Sequence, residues 1–138
     1  MIEGAERTEA LKQIREQVSS EEILEEILKG LEEKQIKEPC CIRIDEVSSI
    51  ADYMLFTTIT SSTHMKVVAS EIQKLCKKAG FQQLNAGEKA DADWTLLDFG
   101  SVILHLLSKT ARDHYKLEKM WAQGETISLN HRFPEESS

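Results

Sequence analysis

Tyr53-Met54-Leu55-Phe56-Thr57-Thr58-Ile59-Thr60-Ser61-Ser62 is the stretch on which the reading of the fold turns. Its first six residues form a continuous apolar and β-prone run, the pattern of a buried strand. Ser61 and Ser62 then offer N-caps, and Met65, Val68, Ala69, Ile72, Leu75, Cys76 and Ala79 recur at helical spacing behind them. Lys77 and Lys78 fall in the last turn with Gly80 just beyond, which suits the helix dipole and a left-handed cap. A strand feeding into an amphipathic helix, with further strands downstream, predicts a βαβ-like crossover and an α/β domain.

Downstream, Trp94-Thr95-Leu96-Leu97-Asp98-Phe99 and Val102-Ile103-Leu104-His105-Leu106-Leu107 flank Gly100-Ser101, two β-prone runs about a two-residue turn and hence a hairpin. Lys109 to Trp121 reads as a last helix, followed by a polar tail from Ala122 that contains Pro134. Upstream, Cys40 to Asp45 reads as a short strand and Glu46 to Asp52 as a turn. Before these, Ser19 with Glu22 forms a capping box that opens a helix over 20–36, with Ile23, Leu24, Ile27, Leu28 and Leu31 on its apolar face and Pro39 ending it. Residues 1–19 carry only the thin stripe Leu11, Ile14 and Val18; they read as an extension, either a solvated tail or a surface for self-association. The sum is one α/β (α+β) domain: a mixed sheet of about five strands with helices on it over 20–121, an acidic extension at 1–19 and a polar tail at 122–138.

Length and composition agree. At 138 residues and 15.7 kDa the chain is one domain's worth and needs no disulfide or metal staple. It carries 24 acidic and 17 basic residues, a net charge of −7, of which −5 falls in residues 1–38. Such a chain is a poor general ligand for nucleic-acid phosphates or anionic lipid. Three cysteines, Cys40, Cys41 and Cys76, with no secretory pattern at the start, point to reduced thiols in a cytosol-like compartment. No apolar run approaches the ~18–20 residues that span a bilayer.

The search for chemistry returns little. There is no C-x-x-C or H-x-x-x-H, and His64, His105, His114 and His131 are scattered, so no metal or cofactor is implied. Ser61, Ser62 and Ser101 lack a G-x-S-x-G elbow, and Cys76 sits on an apolar helix face where a thiol is inert. The loop Thr57 to Ser62 enters a helix N-terminus, but without glycine its amides cannot close freely on a phosphate. Asp91 and Asp93 read as a solvated turn rather than a metal-binding pair. What remains is surface recognition: Trp94, Phe99, Tyr115 and Trp121 are four of the eight aromatics and serve either the core or a partner. Asp98 and Arg112 are open to the same two readings, an internal ion pair or a partner contact.

Asp93-Trp94-Thr95-Leu96-Leu97-Asp98-Phe99-Gly100-Ser101-Val102-Ile103-Leu104-His105 resembles the W-x-(apolar)2-D-x-G-(D)-(apolar)3-H block of the ribosomal silencing factor family, RsfS, also called Iojap. Arg112-Asp113-His114-Tyr115-Lys116-Leu117-Glu118-Lys119-Met120-Trp121 is similar to that family's R-x-x-Y-x-L-E-x-L-W ending. Ser48 to Tyr53 and Thr60 to His64 resemble its S-S-I-(T/A)-D-(Y/C) and G-T-S-x-R-H segments. The chain departs from the pattern at Ile59 (for Gly), Thr63 (for Arg), Ser101 (for Asp) and Gly87-Glu88 (for a displaced Glu-Gly).

The resemblance implies a nucleotidyltransferase-like topology without catalysis. It implies a bacterial cytoplasmic protein that binds the large ribosomal subunit through its fourteenth protein, with little direct RNA contact. Bound there, it would sterically block joining of the small subunit and repress translation under nutrient limitation; free, it could form homodimers. An assembly factor for the large subunit, and less so a nucleotidyltransferase-like enzyme, are the alternatives. The partner-binding candidates carried over are Trp94, Asp98, Gly100, His105, Arg112 and Tyr115, with Asp52 and Trp121 as structural support.

Overall fold

A computed structural model describes residues 4–85, 89–91 and 93–134. Gly87, Glu88 and Ala92, and the side chains of Lys89 and Asp91, lie outside what it describes, and with them the displaced Glu-Gly and the carboxylate pair at Asp91 and Asp93. The elements run α1 (Gly4–Gln17), α2 (Ser20–Glu32), β1 (Lys37–Arg43), β2 (Tyr53–Thr58), α3 (Ser62–Lys78), β3 (Lys89–Asp91), β4 (Trp94–Asp98), β5 (Val102–Leu107), α4 (Lys109–Tyr115), α5 (Leu117–Met120) and β6 (Glu125–Ile127).

Every residue of β2 and of β5 is buried, and these two strands pair in parallel at the centre of a mixed sheet. Among the described residues that sheet has six strands in the order β3-β4-β5-β2-β1-β6, one more than expected. The crossover predicted from the opening stretch is present, but it is a wide one. Helix α3 carries the chain from β2 to β3 at the far edge, and the antiparallel β4 and β5 then fold back inward until β5 meets β2. The β4–β5 turn is the predicted Gly100-Ser101, with Gly100 at φ +81 and the Phe99 N–H donating to the Val102 carbonyl at 3.0 Å.

One face of the sheet packs Tyr53, Leu55, Val102, Leu104 and Leu106 against Ile23, Ile27 and Leu31 of α2 and Val68 and Ile72 of α3. The N-cap half of the predicted capping box forms: the Ser19 hydroxyl accepts from the Glu22 N–H at 3.1 Å. The opposite face places Met54, Phe56, Ile103 and Leu107 under Ala111 and the half-buried Leu117 and Trp121, with Ile44 and Ala51 alongside. Cys41 packs in the first cluster and Cys40 against the second, as strand alternation requires.

Several boundaries differ from the sequence reading, each for a local reason. Helix α2 stops at Glu32 rather than at 36, because a tight turn over 33–36 is needed to bring the chain into β1 at Lys37. Pro39 therefore lies inside β1, at the register shift between Lys37 and Cys40 where a missing N–H costs no ladder bond. The predicted helix 109–121 is two helices, broken by Lys116 in the left-handed conformation (φ 49, ψ 45). Residues 1–19 are not a free extension over their described part: α1 buries Arg7, Leu11 and Ile14.

The stretch after Ala122 is not simply a polar tail. Glu125–Ile127 adds a strand to β1, Leu129 is buried in the first cluster, and Arg132 binds Glu25 and Glu32 of α2. Entry to β6 depends on Gly124, where a Cβ would stand 2.6 Å from the Arg43 carbonyl oxygen and 2.6 Å from Ile42 Cγ2. The backbone oxygen cannot step aside. Gly124→Ala is therefore expected to cost about 1–3 kcal/mol, read as a lowered urea midpoint. An unchanged midpoint would mean that β6 contributes nothing to the fold.

Candidate functional site

The pleat sorts the six candidates. Trp94, Leu96 and Asp98 alternate along β4 onto the face shared with Ile103, His105 and Leu107 of β5, opposite the face covered by α2 and α3. Two short helices shield this second face incompletely, so Trp94 and Leu96 remain half-buried. The candidates fall into three groups rather than one.

The first group is aromatic. The Trp94 indole N–H donates to His105 Nδ1 at 3.1 Å, and His105 lies flat on Phe56 with ring centroids 4.7 Å apart. Because Nδ1 accepts, the neutral imidazole carries its proton on Nε2, which faces Met54 Sδ at 3.4 Å. Burial pushes the His105 pKa down to about 3. Tyr115 of α4 tilts over Trp94 at 5.0 Å and meets His114 edge-on at 4.8 Å. Tyr115 is 36 % exposed, so the group runs from the core out to solvent.

The second group is the β4–β5 turn, and it is sealed. Asp98 is fully buried; its Oδ1 accepts from the Gly100 N–H at 2.9 Å, and its carboxylate is gripped by Arg7 of α1. A Cβ on Gly100 would lie 2.6 Å from Ile14 Cδ1, so α1 also covers the glycine. Of the two readings open for Asp98, the internal ion pair is the one formed, with Arg7 as its partner. Asp52, expected as structural support, receives Arg15 of the same helix.

The third group is Arg112. Its guanidinium makes a two-pronged contact with Glu118, at 2.9 Å from Nε and 2.7 Å from Nη2. It also donates to the Glu38 carbonyl and, at 3.0 Å, to the Thr58 hydroxyl. Burial pulls the Arg112 pKa down, but Glu118 and Glu38 outweigh it and hold the guanidinium above its ordinary value. This pair spans the break at Lys116 and fixes how α5 and Trp121 return to the sheet. The guanidinium's bond to the Glu38 carbonyl secures that residue, which has φ 49 directly before Pro39.

Two of the departures from the family pattern, Ile59 and Ser101, are buried, whereas Thr63 is exposed. Ile59 is buried in the first cluster, and its N–H donates to the Leu107 carbonyl at 2.8 Å, so this loop is core rather than an anion cradle. Ser101 is buried, and its carbonyl takes the N–H groups of Asp52 and Tyr53 at 2.8 and 3.0 Å. Cys76 is buried and free, with its thiol pushed up to about 12 by burial and then by Glu26. Sequence reasoning missed Arg7 altogether. Its only signal was indirect: a strand carboxylate that is to be buried must find a cation somewhere. Glu118 was quoted within its motif but not recognised as the counter-ion of Arg112.

A family model described as "Ribosomal silencing factor during starvation" matches residues 17–138. The chain is 43 % identical to a ribosomal silencing factor of Haemophilus influenzae over 75 residues, 54 % of this chain and 74 % of that protein. It is 36 % identical to one of Zymomonas mobilis over 106 residues, 76 % of this chain and 79 % of that protein. A crystal structure of a Chromobacterium violaceum protein superposes with a TM-score of 0.71 at 25 % identity, covering 80 % of this chain and 92 % of that one.

The buried neutral imidazole fixes a pH dependence. In the unfolded chain His105 titrates near its ordinary value of ~6.5, whereas in the folded chain it refuses the proton until about pH 3. The unfolded state thus binds more protons between these values, and the contribution present above pH 6.5 is lost as pH falls. From pH 6.5 to 5 this one group removes about 1.5 kcal/mol. Urea unfolding across that interval should show the loss in the wild type and not in His105→Gln, the other histidines cancelling in the comparison. Parallel pH profiles would place His105 in solvent.

Proposed function

This chain belongs to the ribosomal silencing factor family, and from that premise we propose that it represses translation by binding the large ribosomal subunit through that particle's fourteenth protein. Bound there in the bacterial cytoplasm under nutrient limitation, it blocks joining of the small subunit by occupying space. The mechanism asks for no reaction centre. It asks for a rigid body with a few anchoring side chains and a fold that survives the contact.

The observation that carries this reading is the aromatic group. Trp94 and Tyr115 stand at the rim of the incompletely covered sheet face, with His105 and Phe56 as a packed floor. Half-buried aromatics on a rigid support are the usual anchors of a protein interface, because they bring contact area at little cost in side-chain entropy. Asp98, Gly100 and Arg112 are buried in this chain and serve the site by shaping the turn and the α4–α5 junction. The net charge of −7 favours encounter with a basic protein and disfavours a long contact with RNA phosphates.

Tyr115→Ala separates anchoring from folding. The variant should unfold within about 1 kcal/mol of wild type, as expected for a partly exposed residue. It should bind purified large subunits about 30-fold more weakly, the ~2 kcal/mol typical of a hot-spot aromatic. In sucrose gradients it should also fail to raise the proportion of free subunits. A folded variant that binds and blocks joining like the wild type would end the proposal.

A further inference from the structure

All of helix α1 but its last residue, Gln17, precedes the matched family region, yet α1 holds two carboxylates that belong to that region's motifs. Arg7 reaches Asp98, and Arg15, eight residues or roughly 12 Å along the helix, reaches Asp52. The Arg7 site is a built one. Asp98 takes the guanidinium through both oxygens, the Gly100 carbonyl accepts from Nη2 at 3.1 Å, and the Ile50 carbonyl accepts from Nε and Nη2 at 3.2 and 2.9 Å. Four acceptors converge on one planar cation, and the Asp98 side chain has no solvent exposure. Without Arg7 the pocket holds a buried charge that requires some cation of this shape.

The helix that fills the pocket is lightly attached. Besides Arg7 it buries only Leu11 and Ile14, against six residues for α2, and it joins α2 through Val18 and the N-cap Ser19 alone. The domain thus supplies the pocket, and the extension supplies its occupant.

We propose that Asp98, with the carbonyls of Ile50 and Gly100, is a docking pocket for an arginine of a protein partner, and that α1 is its displaceable occupant in cis. Arg7 holds the place of the partner's arginine, Arg15 covers Asp52 in the same way, and release of α1 exposes both carboxylates together with Gly100. The chain in its latched form is then restrained from docking at this end of the sheet, and a basic partner segment must compete with a tethered one. The identity of the partner particle rests on the reading above; the pocket does not.

Two measurements decide it, both on the full chain. Arg7→Ala should melt several degrees below wild type, and ethylguanidinium at millimolar concentration should return roughly 3 °C of the loss with saturation. Ethylammonium at equal ionic strength should not, and neither wild type nor Asp98→Asn should respond to either cation. No saturable response, or an equal response to ethylammonium, overturns the pocket. Should Arg7→Ala not fold, the wild type decides through amide hydrogen exchange. Residues 8–17 should lose at least tenfold in protection when the protein is saturated with large subunits, and unchanged or increased protection there overturns the displacement. If large subunits do not bind at all, it is the functional reading that fails, and the guanidinium response still judges the pocket.

Discussion

The parallel pairing of β2 with β5 is the constraint from which the rest follows. Two runs of six strand positions, Tyr53–Thr58 and Val102–Leu107, are buried on both faces, so the sheet must be covered on both sides. Parallel neighbours also need a long return, which α3 and the outlying β3 and β4 provide. The two faces are then covered unequally: α2 and α3 give full-length helices to one, and α4 and α5 give barely three turns to the other. The half-buried aromatics follow from that inequality.

Much of this was legible in the residues. Ser19 and Ser61 announced their helices, Gly100-Ser101 announced its turn, and the run Tyr53 to Thr58 announced a buried strand, because each signal is local. The errors came where a long-range contact decides. Pro39 breaks a helix by intrinsic preference, yet it sits in β1 because a bulge there asks for no donor. Glu125–Ile127 has no strand pattern worth the name and becomes one because the β1 edge is next to it. Lys116 breaks a helix that its neighbours would continue, and the pair Arg112–Glu118 closes around the break.

The candidate residues were found as a list and not as an arrangement. Trp94, His105 and Tyr115 do meet, and period-two alternation from Trp94 with its register to His105 explains why. Asp98 and Arg112 were rightly suspected of ion pairing but have different partners, Arg7 and Glu118. No periodicity joins residue 7 to residue 98. The link is a matter of electrostatic necessity at one end and reach at the other, and only coordinates show the two together.

The edges of the sheet carry a last consequence. One edge ends in β3 and the other in β6, each three residues long, and the part of β1 that β6 leaves uncovered contains Glu38 with its left-handed backbone and Pro39. Among the described residues, neither border offers a long straight row of free amides and carbonyls for another chain to join. Growth of the sheet by strand addition is thereby discouraged, in aggregation as much as in recognition. A contact with this domain is thereby left its faces and turns, where shape and charge discriminate between partners, rather than a strand edge that any extended chain could match.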